Sequence, residues 1–193
     1  MLVRDLESNK PGIRSFAQQR LDGGLLKDFE AFLDFLHAER ISLPWTPKYA
    51  FNAKYRGELA AKIYIDRDNA ANNHLSIAVV SAKWDDLDDY LKMQSDEIAG
   101  LFFESIANNK CRRCSPNCSC SRAPEFEFMI LGRQYDHPCF AFGRHAYHLA
   151  TSGGGMREML LAGAGDPARS VPIETVKELI LARKRYIDTM VVG

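Results

Sequence analysis

The chain has 193 residues, enough for one substantial hydrophobic core or for one domain with a small appendage. Its composition, 46% apolar and 26% charged with no low-complexity run, is that of a globular protein. There are 25 basic and 25 acidic residues, and a formal net charge of zero argues against a protein living on phosphate backbones, which carries a basic excess.

The first residues, Met1 to Glu7, have no apolar core of signal-peptide length. No run approaches the roughly 20 apolar residues of a membrane span. The expectation is a soluble, cytoplasmic protein. Residues 1–23 are polar, punctuated by Pro11-Gly12 and Gly23-Gly24, and read as an N-terminal arm packing on the outside, with a short helix over Ile13–Leu21. From Leu25 to Arg40 the apolar residues Leu25, Phe29, Phe32, Leu33 and Leu36 recur at the 3.6-residue period of one helix face. Pro44 and Pro47 then break the chain.

Three short strands follow: Tyr49–Tyr55, Leu59–Ile65 and Leu75–Val80, with a turn at Arg56-Gly57-Glu58 and a polar loop over Asp66–Asn73. Connections this short imply an antiparallel meander, because parallel pairs need long crossovers. Asp85, Asp86, Asp88 and Asp89 invite a metal reading, but acidic residues in the first turns of a short helix account for them. A second helix spans Gln94–Asn108, with Ile98, Leu101, Phe102, Ser105 and Ile106 on one face. After the cysteines, residues 125–131 and 134–142 read as a hairpin with its turn at Gly132-Arg133. Residues 143–150 are ambiguous, and Met156–Leu161 reads as a short helix. Pro172 sits where a last helix begins, and Val176, Leu179, Ile180, Arg183, Ile187 and Met190 form its inward stripe. Grouped strands point to a single α+β domain over residues 1–193. It is an antiparallel sheet, meander plus hairpin, packed against helices, with a cysteine-rich metal-binding loop and hairpin at 110–139.

That loop carries the chemistry. Four of the five cysteines, Cys111, Cys114, Cys118 and Cys120, fall within ten residues, and Cys139 follows. In a reducing compartment such a cluster binds metal or does redox work rather than forming a disulfide framework, and an odd count cannot be paired off. The Cys111-x-x-Cys114 spacing brings two thiolates to one ion from a tight turn, and zinc accepts four in a tetrahedron. A hairpin returns Cys139 to the start of the segment. The expected ligand set is Cys111, Cys114, Cys118 and Cys139, with Cys120 and His137 as alternates. An iron–sulfur cluster is the second metal reading, although the CxxCxxxCxC order matches neither ferredoxin spacing. Reactive thiols, favoured by Lys110, Arg112 and Arg113, are the third.

The Cys-x-x-Cys pair, the strand ending Leu131-Gly132-Arg133-Gln134-Tyr135, Cys139 and the last helix from Pro172 to Ile187 resemble a family of small, uncharacterised bacterial proteins common in Firmicutes. There the strand reads isoleucine–phenylalanine–glycine–lysine–glutamate–phenylalanine, with the second cysteine stretch after it. The resemblance covers the C-terminal two-thirds. It departs in the crowding of Cys118 and Cys120 and in the insertion from Tyr147 to Asp166. It implies a metal site and a fold, and no reaction.

Three function classes remain. The leading one is a non-enzymatic zinc-binding protein that takes a small molecule or a protein partner, with Trp45, Tyr49, Phe51, Tyr55 and Tyr64 lining an apolar pocket if one sheet face is open. The second is a zinc- or cysteine-dependent enzyme, a hydrolase or thiol-redox protein, drawing on His137, His145 and His148 near Cys139. The third is a nucleic-acid-associated zinc module using Lys110, Arg112, Arg113 and Arg122. Gly153-Gly154-Gly155 before a helix would cradle an anion, but it lacks a P-loop lysine and reads as a turn.

Overall fold

The computed structural model describes residues 12–21, 23–46, 50–66, 74–80, 86–108, 127–136, 147–151, 156, 158–162 and 170–192. In chain order the elements are α1 (Ile13–Gln18), α2 (Gly23–Ala38), β1 (Trp45–Thr46), β2 (Ala50–Tyr55), β3 (Glu58–Asp66), β4 (His74–Val79), α3 (Leu87–Lys92) and α4 (Asp96–Asn108). They continue with β5 (Glu127–Ile130), β6 (Arg133–Asp136), β7 (Tyr147–Thr151), β8 (Glu158–Ala162), β9 (Ser170–Pro172) and α5 (Ile173–Val192).

Seven strands form one antiparallel sheet in the order β1-β2-β3-β4-β7-β8-β9, and β5 and β6 pair separately. The α+β reading with an antiparallel sheet holds. The meander is longer than the sequence suggests, because everything between β4 and β7 is an insertion into it. Register sets the inward face. Phe51 lies opposite Ile63, Ile63 opposite Ile77, and Ile77 opposite Leu149. The first three are buried in the core, each worth roughly 1.5–3 kcal/mol of burial. Their neighbours Asn52, Lys62 and Ser76 point to the other face and stay half-exposed, the period of two that a half-buried strand requires.

The β2–β3 turn is Arg56-Gly57, both at positive φ. That two-residue geometry matches the right-handed twist of its strands, which is why glycine stands second. α2 buries the five residues expected, Leu25, Phe29, Phe32, Leu33 and Leu36. It ends in a double hydrogen bond, Ile41 N–H to the Leu36 carbonyl at 2.9 Å and Arg40 N–H to the His37 carbonyl at 3.0 Å. Arg40 itself is in the left-handed region at φ 60°, where glycine is usual.

Several expectations are corrected. The N-terminal segment is not an outer arm throughout: Phe16 of α1 is buried and packs edge-on against Trp45 and Phe51 at 5.1 and 5.6 Å. Residues 158–162 are a strand, not a helix. Glu, Met, Leu and Ala favour a helix locally, but β8 is hydrogen-bonded to β7 on one side and β9 on the other, and ladder pairing overrides propensity. Pro172 closes β9, so α5 starts one residue later, at Ile173. The β5–β6 turn is Leu131-Gly132, at φ 47° and 75°, rather than Gly132-Arg133. Met190 is 41% exposed and leaves the inward stripe of α5, which Ala182 and Tyr186 join instead.

Arg183 lies in that stripe and is only 5% exposed. Its Nε–H donates to the Leu59 carbonyl at 3.2 Å, while Nη1 has no hydrogen-bond partner among the described residues. Burial pushes its pKa below the usual guanidinium value, against the opposing pull of Tyr90, Glu58, Tyr186 and Asp86. Tyr186 and Tyr90 meet edge to face at 5.4 Å and join α5 to α3.

Candidate metal centre

The five cysteines, His137 and His145 lie outside the described residues, as do Lys110, Arg112, Arg113 and Arg122. Among the described residues no three His, Cys, Asp or Glu side chains come together as a metal-binding group. What is described is the frame on either side of the cysteine segment.

α4 leads into that segment. Ser95 caps it, its hydroxyl accepting from Ile98 N–H at 3.4 Å and its carbonyl from Ala99 N–H at 2.9 Å. Asp96 and Glu97 occupy the first turn, where the helix dipole favours them. Ile98, Leu101 and Phe102 are buried, which fixes the roll of the helix and leaves Phe103 on its flank, half-buried.

The β5–β6 hairpin leads out of the segment and docks on that flank. Opposed pairs Ile130↔Arg133 and Phe128↔Tyr135 put Ile130, Arg133 and Tyr135 on one face. Ile130 is fully buried, whereas Met129 on the other face is 57% exposed. The Tyr135 ring stacks on Phe103 with centroids 6.2 Å apart and planes 4° from parallel. The Arg133 guanidinium lies 4.3 Å from the centre of the same Phe103 ring. Burial raises the Tyr135 pKa, and the hydrogen bond and charge of Arg133 only partly oppose it. At the turn, Leu131 N–H donates to Asp88 Oδ1 at 3.1 Å and ties the hairpin to α3.

The acidic run at the start of α3 has ordinary work. Asp86 stands at the N-cap, Asp88 in the first turn holds the hairpin turn, and Asp89 pairs with Lys92 at 3.0 Å. Asp85 lies outside the described residues. His148 falls within β7, opposite Ala78 and Ala162. The glycines 153–155 are outside the described residues, and residues 158–162, expected to belong to the helix after them, form the strand β8. Three of the aromatic residues expected to line a pocket on the meander pack into the fold instead, and Tyr64 is half-buried on the opposite face of β3 from Ile63 and Ile65. Phe51 is buried, Tyr55 is 9% exposed and donates to Asp188, and Trp45 packs on Phe16 and Phe51. Tyr49 lies outside the described residues.

Sequence reasoning missed Phe103, Arg133, Tyr135 and Asp88 as the frame of the segment. A trace was present: Arg133 and Tyr135 are two apart on a strand and so share a face, but nothing local names Phe103 as their partner. No helix among the described residues is long and apolar enough to cross a membrane. No protein-family model, no curated protein and no solved structure matches the chain.

Proposed function

We propose that the chain is a zinc-binding α+β protein whose metal is structural and whose role is to bind a small molecule or a protein partner. The ligands are Cys111, Cys114, Cys118 and Cys139, with Cys120 and His137 as alternates. The observation that supports this reading is the docking of α4 against β6 on either side of the cysteines. Cys111 is three residues past Asn108, the end of α4, and Cys139 is three past Asp136, the end of β6. Three residues span at most about 10 Å. The Phe103–Tyr135 stack already brings the two elements side by side. Chain length therefore permits Cys111 and Cys139 to share one ion, with Cys114 and Cys118 drawn from the intervening loop.

The donor set fits zinc. Four thiolates give a closed tetrahedron, and such sites contribute folding free energy directly. The segment from 109 to 126 is polar and has little apolar surface to bury, so a metal supplies what a core cannot. A closed site leaves no position for substrate, which separates this reading from zinc catalysis. X-ray absorption at the zinc edge distinguishes the two. Four sulfur scatterers at about 2.3 Å are expected. Three protein ligands with one light scatterer would move the protein to the enzyme class.

A further inference from the structure

A pocket of about 200 Å³ opens between α2 and the first turn of α5. Its floor is apolar: Phe32 from α2, Met156, and Ile173 from α5. Its rim is charged: Asp28, Glu174 and Lys177. Met156 is fully buried beneath it, and its N–H donates to Asp28 Oδ2 at 3.2 Å, which fixes the carboxylate at the mouth.

Among the described residues the charges at the rim do not cancel. Lys177 Nζ is 2.7 Å from Glu174 Oε1, so those two neutralise each other. Asp28 has no cation paired with it among the described residues. The N-terminus of α5 offers a partial positive charge of about half a unit, which offsets Asp28 only in part. A residual negative potential over an apolar floor selects a ligand that is positive at one end and apolar at the other. Size bounds the rest: a cavity of about 150 Å³ accommodates benzene, so this one takes a ring or a short chain plus a head group.

We propose that this pocket binds a small primary ammonium compound carrying a short apolar tail. The ammonium donates to Asp28 Oδ1, the oxygen Met156 does not use. The tail lies on Phe32, Met156 and Ile173. This gives a ligand class to the small-molecule role and is carried by a different observation from the zinc reading. Loss of one therefore leaves the other intact: metal content is set by the cysteines, amine binding by Asp28.

Benzylammonium serves as probe, titrated into the full-length protein and followed by saturation-transfer NMR and thermal shift. Benzyl alcohol and benzoate, of the same shape, are the controls. Saturable binding with a dissociation constant on the order of 1 mM is expected for benzylammonium, with weaker binding of the alcohol and weakest of benzoate. Asp28→Asn keeps an acceptor for Met156 N–H but removes the charge, and weakens benzylammonium binding about tenfold. Lys177→Met unmasks Glu174 and strengthens it severalfold. Absence of saturable binding, preference for benzoate, or equal affinity in wild type and both variants overturns the proposal.

Discussion

Phe103, five residues before the end of α4, lies with its ring parallel to that of Tyr135, one residue before the end of β6. This contact, with the Arg133 guanidinium over the same Phe103 ring, joins the two elements that bracket the cysteines. If it is a docking contact and not a surface accident, the pair is energetically coupled. A double-mutant cycle of Phe103→Ala and Tyr135→Ala, read by urea unfolding, is expected to give an interaction free energy of about 0.5–1.5 kcal/mol. A cycle that closes with strict additivity would mean that the hairpin is held by its other contacts, those of Ile130, Arg133 and Asp88.

Arg40 ends α2 in a conformation that costs an ordinary side chain about 1–2 kcal/mol. Its side chain is exposed, so little else is lost with it. Arg40→Gly relieves the strain but adds freedom to the unfolded chain, worth about 0.4–1 kcal/mol in the other direction. The net expectation is a gain of about 0.5–1 kcal/mol, seen as a raised thermal midpoint. A lowered midpoint would show that Arg40 makes a contact that outweighs the strain.

Tyr186 has its pKa raised above the usual tyrosine value of 10, first by burial, then by the neighbouring Asp86, with Arg183 opposing. The folded state therefore keeps its proton longer than the unfolded state. Stability from this group is complete below about pH 10 and falls as pH rises through the folded value. Tyr186→Phe should flatten the decline of stability above pH 10, measured by urea unfolding across the alkaline range. An unchanged slope would place the alkaline loss elsewhere.

Arg183 is buried, its Nη1 has no partner among the described residues, and removing its charge removes a desolvation cost. Arg183→Met, similar in length and apolar, should leave stability within about 1 kcal/mol of wild type or increase it. Arg183→Ala also removes the packed stem and should lower stability by about 2–4 kcal/mol. Equal losses in both variants would show that the Leu59 hydrogen bond, not the packing, is what matters.

The α2 face, the α5 stripe through Arg183 and Ile187, and the three strands of the early meander are legible because their periods are strong and local. β7–β9 were harder, because Glu158–Ala162 is helix-like in isolation and becomes a strand only when Leu149 and Val171 lie on either side of it. The hairpin's place against α4 rests on Phe103 meeting Tyr135 across 32 residues, a long-range contact with no local signature. Aromatic residues cluster on the meander, but Phe51 and Tyr55 are buried in the fold there, whereas a pocket among the described residues lies between α2 and α5, over Phe32 and Ile173 beside Asp28.

A structural zinc held by four of the five cysteines is tested by metal analysis with thiol titration, on folded protein purified without chelator. A single zinc per chain is expected, with only the unliganded cysteine reacting until a chelator removes the metal and frees the rest. Folded, metal-free protein in which all five thiols titrate at once would contradict it.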